Sequence, residues 1–114
     1  MNIINTTTRD KKTLYQLTKG ADVKRLQEAE GHDLAVKNFI IYDDEKGDGS
    51  VMRVLAFESD TGAMYATNSP TFISTFSDIC TICGDEAVDM IGEKIRVSSG
   101  ISKSGRKFFS CVWA

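Results

Sequence analysis

The chain has 114 residues, 41% apolar and 26% charged, enough for one modest core and too few for two stable domains. Its net charge of −2 excludes coating of duplex DNA by bulk attraction, so any nucleic-acid role rests on local charge. Three cysteines, an odd number, fit a reducing compartment, no run of residues is apolar enough to span a membrane, and Met1–Asn5 lacks the parts of a secretory signal, so a cytoplasmic location is expected.

Residues 1–31 carry sparse apolar positions, Leu14, Leu17, Val23 and Leu26, among charges, with Gly20 and Gly31 as stops. They read as an N-terminal segment, partly helical or an arm, leading into a domain over residues 32–114. From Leu34 the pattern turns to β-type runs: a strand over 34–42, a polar glycine-bearing turn over Asp43–Gly49, and a second strand over Val51–Glu58. Ser59-Asp60-Thr61-Gly62 then makes a tight connection to a third strand over 63–67.

Ser69-Pro70 is a helix start, since serine caps free amides and proline at the first position needs no donor. Phe72, Ile73, Phe76, Ile79, Cys80 and Cys83 follow as one apolar stripe, and Gly84 ends it. Two further strands, over 93–98 and 107–113, flank a Gly/Ser loop that carries Lys103 and Arg106. Strand, strand, strand, helix, strand, strand is the order of an OB-fold, a five-stranded barrel whose ligand face lies on its second and third strands and the loops beside them.

Two sets of residues suit a polynucleotide. The loop Ser102–Lys107 puts Lys103, Arg106 and Lys107 near glycines, with Phe108, Phe109 and Trp113 on the strand that follows. Cations that follow a backbone beside aromatics that stack on bases are what single-strand binding requires; a solvated loop ahead of core aromatics has the same look. On the second strand Met52, Val54 and Ala56 form the expected core face, leaving Arg53, Leu55 and Phe57 outward, with Tyr65 and Tyr42 extending the surface.

Tyr65-Ala66-Thr67-Asn68-Ser69-Pro70-Thr71-Phe72 and the closing Gly100-Ile101-Ser102-Lys103-Ser104-Gly105-Arg106-Lys107-Phe108-Phe109 resemble the small single-stranded DNA-binding proteins of tailed bacteriophages, with looser similarity over residues 34–114. The resemblance implies an OB-like fold that coats displaced strands during phage DNA replication, in the host cytoplasm, without catalysis, cofactor or metal. Single-stranded DNA is the implied ligand, with replication proteins or further copies of the chain as partners. Arg53, Lys103, Arg106 and Lys107 are expected to meet phosphates; Phe57, Tyr65, Phe109 and Trp113 are expected to stack on bases.

Other chemistries fit less well. Cys80 and Cys83 have the spacing of a redox pair, but they lie at the helix end where the dipole opposes a thiolate, and Cys111 and His32 supply no second close pair for zinc. The acidic turn misplaces its glycines for a calcium loop, and no phosphate-binding Gly-x-x-x-x-Gly-Lys sequence is present. The alternative from another class is a small phage protein-interaction module that binds a host protein, which the acidic net charge favours.

Overall fold

A computed structural model describes all 114 residues. Seven strands and two α-helices follow in the order β1 (Asn2–Thr6), α1 (Lys11–Lys19), β2 (Val23–Arg25), β3 (Asp33–Glu45), β4 (Val51–Ser59), β5 (Met64–Thr67), α2 (Pro70–Cys83), β6 (Lys94–Ile101) and β7 (Lys107–Trp113). Short 3-10 turns at Leu26–Ala29 and Ala87–Met90 precede β3 and β6. No helix is long and apolar enough to cross a membrane.

The long strand β3 organises the sheet. It pairs antiparallel with β4 over most of its length, while its other edge is divided: Asp33–Ala35 pair with β6 and Ile40–Asp43 with β1. Between Val36 and Asn38 the register with β4 shifts, and such a bulge bends a strand and raises its twist. Val36 turns its backbone to the chain before β6, donating to the Glu93 carbonyl at 3.0 Å and accepting from the Gly92 N–H at 2.7 Å. The product is a curled mixed sheet, a half-barrel with strand order β2-β5-β4-β3-β6-β7.

The five strands expected from sequence are β3 to β7, but the sheet has seven strands and a different order from the expected barrel. β5 does not pair with β7; its free edge takes β2 in parallel. The gap is filled by the turn after β2, whose Leu26 and Ala29 are buried in the main core, and by a bridge from Glu30 to Val97 of β6. On the far side α2 lies along β7, where Thr75 Oγ1 accepts the Cys111 N–H at 2.7 Å and satisfies an edge donor.

Local chemistry explains both helices. In α2, Ser69 accepts the Phe72 N–H, Pro70 opens the helix and Gly84 ends it. Its buried stripe of Phe72, Ile73, Phe76, Ile79 and Cys80 packs on the inner face of the sheet. In α1, Asp10 accepts the Thr13 N–H at 3.0 Å, and Leu17 seats on the outer face against Ile40, Tyr42, Val54 and Ala56. The sheet is therefore covered on both sides, and residues 1–31, expected as a short helical segment, add two strands and parts of both cores.

Leu17 is only 1% exposed and is the one α1 residue fully buried against that outer face. Leu17→Ala should lower stability by about 2–5 kcal/mol, the range for emptying such a site; an unchanged denaturation midpoint would show that α1 does not seat there.

Candidate nucleic-acid interface

Both faces of β4 are buried: Val54 and Ala56 pack under α1 as expected of a core face, whereas Leu55 and Phe57, expected outward, lie in the main core. Phe57 is fully buried, 6.4 Å from Phe72 and 6.3 Å from Phe76 by ring centroids in near-parallel stacks, with Tyr65 tilted against it at 5.6 Å. Leu55 is buried in the same core. Phe57 is thus withdrawn as a base-stacking residue. The physical cause is that β4 lies between two strands and between two helical layers, so both of its faces are apolar and alternation gives no direction.

Arg53 stands at the open end of that face, but Asp43 takes its guanidinium with Nε to Oδ1 at 2.7 Å and Nη2 to Oδ2 at 3.0 Å. That hydrogen-bonded pair holds the Asp43 carboxyl below its usual range and pushes Arg53 further up. Lys107 is likewise engaged: its Nζ lies 3.1 Å from Glu30 Oε1 and 5.3 Å above the Phe109 ring. Glu30 is held below the usual carboxylate range, first by the Ser99 hydroxyl and then by Lys107. Neither cation is free to meet a phosphate without displacing a carboxylate.

Lys103 and Arg106 differ. Both are exposed at the tip of the β6–β7 hairpin, and neither has an acidic partner. The tip is ordered by its own small residues: the Ser102 N–H donates to the Arg106 carbonyl at 2.8 Å, and Ser102 Oγ accepts the Arg106 N–H at 3.2 Å. Gly105 supplies the positive φ of 82° that the turn needs. Behind the tip Phe108 lies across Gly100, where a Cβ would come within 2.7 Å of its ring.

The aromatic candidates do not converge on that tip. Phe109 and Tyr65 are half-buried against the main core. Trp113 is 42% exposed, paired in register with Ile95, and six strand residues from Lys107 separate their Cα atoms by about 20 Å. The eight expected site residues thus comprise a free cationic tip, two cations already paired, one core phenylalanine and three aromatics spread along the half-barrel.

A groove on the outer face lies where no site was expected. Arg25, Gln27, Met52, Val54, Ala66, Thr67 and Asn68 line a volume of about 380 Å³ beside α1. Met52 and Asn68 also border a separate hollow of about 520 Å³ on the α2 side, lined by Arg53, Pro70, Ile73, Ser74 and Ser77. Asn68 is exposed, its amide resting 3.2 Å from the Met52 sulfur, and Arg25 has no carboxylate partner. The segment from Arg25 through Glu30 links the groove to the hairpin, since Gln27 lines one and Glu30 grips Lys107 of the other. Arg25 gave no signal because a three-residue strand has no measurable period. Asn68 was within reach, inside the stretch Tyr65–Phe72 that carries the resemblance.

The acidic turn is a solvated hairpin, with Asp48 accepting the Ser50 N–H at 2.9 Å and its hydroxyl at 2.6 Å. His32 lies exposed just before β3. No family model, curated protein or solved structure matches the chain.

The three cysteines are unpaired. Burial pushes the Cys80 and Cys111 thiols up to about 12, and the less enclosed Cys83 moves up as well. Because the folded thiols hold their protons where unfolded ones release them near pH 8.5, their contribution to stability is complete below that pH and fades as pH rises toward 12. Alkylation at pH 8 followed by mass spectrometry should modify Cys83 first and leave Cys80 and Cys111 protected until denaturant is added; equal labelling of all three in the native protein would contradict this.

Proposed function

We propose that the protein binds single-stranded DNA without catalysis, in the host cytoplasm during phage DNA replication, and that the strand lies in the groove running from Arg25 past Asn68 to Ser77. The observation that carries this is the pair of open hollows that share Met52 and Asn68 as walls, with Arg25, free of ion pairs, at one end and neutral amides and hydroxyls beside the paired Arg53 along them. The pairings β3–β4, β4–β5, β3–β6 and β6–β7 accord with an OB-like half-barrel, whose ligand face lies on its second and third strands, here β4 and β5.

The side chains suit a flexible strand. Gln27 and Asn68 each offer donors and an acceptor to base edges, Met52 and Val54 give an apolar floor for base faces, and Arg25 meets a phosphate or stacks on a base. Lys103 and Arg106 take phosphates beyond the groove, and the segment Arg25–Glu30 couples the two contacts. Rigid duplex fits such a channel poorly, and the net charge of −2 gives it no general attraction.

With Arg25, Lys103 and Arg106 as the cations that meet the strand, the log–log dependence of affinity on salt should have a slope no steeper than about 2, at about 0.7 per phosphate contact on a single strand. Fluorescence anisotropy with a labelled oligothymidine should show this, with matched duplex binding more weakly. Arg25→Ala, and separately Lys103→Ala with Arg106→Ala, should each flatten the slope, and Asn68→Ala should weaken binding without changing it. Absence of single-strand binding at low salt, or slopes that none of these changes alter, would overturn the proposal.

A further inference from the structure

A second depression lies between β1 and α1, and it is chemically unlike the groove. Met1, Ile3, Leu14, Tyr15 and Ile40 line about 310 Å³ of almost wholly hydrocarbon surface, with Lys11 and Lys19 at its rim. Met1 and Tyr15 are 62% and 65% exposed. Apolar groups gathered this way at a surface mark an interaction site more than chance exposure does. β1 pairs with β3 and with no other strand, so the hollow is bordered by a strand edge that no strand covers.

The rim is basic. Arg9, Lys11 and Lys12 are exposed without a carboxylate partner, Asp10 between them is spent on the Thr13 amide and hydroxyl at 3.0 and 2.7 Å, and only Lys19, across the rim, is paired, with Asp44 at 3.9 Å. The occupant that fits is an apolar side chain flanked by carboxylates. The same chain presents one: around the turn Ala87–Met90, Val88 and Ile91 are 45% and 48% exposed, and Asp85, Glu86 and Asp89 make no ion pair. This turn lies beside the end of β1, since Asn5 shares a small cavity with Glu86 and Ala87.

We infer that a second copy of the chain is the partner, and that its Ala87–Met90 turn seats Val88 in the hollow between β1 and α1 while its carboxylates meet Arg9, Lys11 and Lys12. Hollow and turn flank β1 from its two faces, so a two-fold axis along that uncovered edge lets each copy place its turn in the other's hollow. That is the self-complementary arrangement of an isologous dimer. The contact uses neither the groove nor the hairpin tip, so it leaves both open to a strand.

The test is sedimentation equilibrium of the full chain without nucleic acid, at low and at high salt. The wild type should form a dimer that weakens as salt rises. Lys11→Glu with Lys12→Glu makes both patches acidic, and Asp85→Lys with Glu86→Lys makes both basic; each variant alone should shift the monomer–dimer midpoint upward by about tenfold or more. Mixed in equal amounts, the two should form a heterodimer, because every facing charge is again opposite. Thermal melts of each variant confirm that it folds. A wild type that stays monomeric at every attainable concentration, single variants that dimerise as well as wild type, or a mixture that stays monomeric would each overturn the inference.

Discussion

The architecture depends on β3 serving three partners. A strand has two edges, and β3 gives one whole edge to β4 while dividing the other between β6 and β1. The division falls at the bulge near Lys37, where Val36 turns its amide and carbonyl to the chain before β6. Without that bend the first and last parts of β3 would point the same way, and β6 and β1 would compete for one line of hydrogen bonds. With it the sheet curls, α2 fills the inner face and α1 the outer, and β3 and β4 become the strands buried from both sides.

Curling also governs which charges are free. Arg53, Arg96 and Lys107 all point along the sheet margin, and each meets a carboxylate that folding brings within reach: Asp43 across the β3–β4 pair, Asp33 across the β3–β6 pair, and Glu30 from the turn that fills the gap. These pairs are solvent-exposed, so each contributes little to stability. Their consequence lies elsewhere, since they occupy three cations and leave the unpaired ones scattered over the hairpin tip, β2, the first turn of α1, Lys46 and Lys94.

The elements with strong local signals were legible in the sequence. The helix from Ser69-Pro70 to Gly84 and the five strands from Leu34 onward stand where cap chemistry, β-branched runs and turn residues put them. What escaped was set by contacts between distant parts of the chain. Asn2-Ile3-Ile4-Asn5-Thr6 is too polar to read as a strand and becomes one because β3 offers it an unfilled edge. β2 is three residues long and owes its form to β5. The face of β4 was misjudged because Phe57 and Ala56 are both apolar and a strand enclosed on both sides carries no alternation. The site suffered from the same error: a free arginine on a short strand and an amide between two elements form a groove only after folding, whereas the hairpin cations were visible because sequence alone puts them together.

A chain of net charge −2 that holds a polyanion must do so at short range. At physiological ionic strength fields fade over about 8 Å, so carboxylates on the β3–β4 hairpin tip need not oppose a strand lying more than that distance away. In the proposed binding mode the three cations that meet the strand would give a modest electrostatic contribution by the counterion rule, and the remainder of the affinity would fall to stacking and amide contacts in the groove, which salt does not screen. Such a site is weak singly. In the proposed dimer two copies joined through the α1 hollow would place two grooves on one particle, and once the first was occupied the second would meet its stretch of strand at a high effective concentration. On that proposal many small, salt-tolerant contacts multiplied by linkage would achieve what a large positive charge would otherwise supply, without drawing the protein onto every duplex it passes.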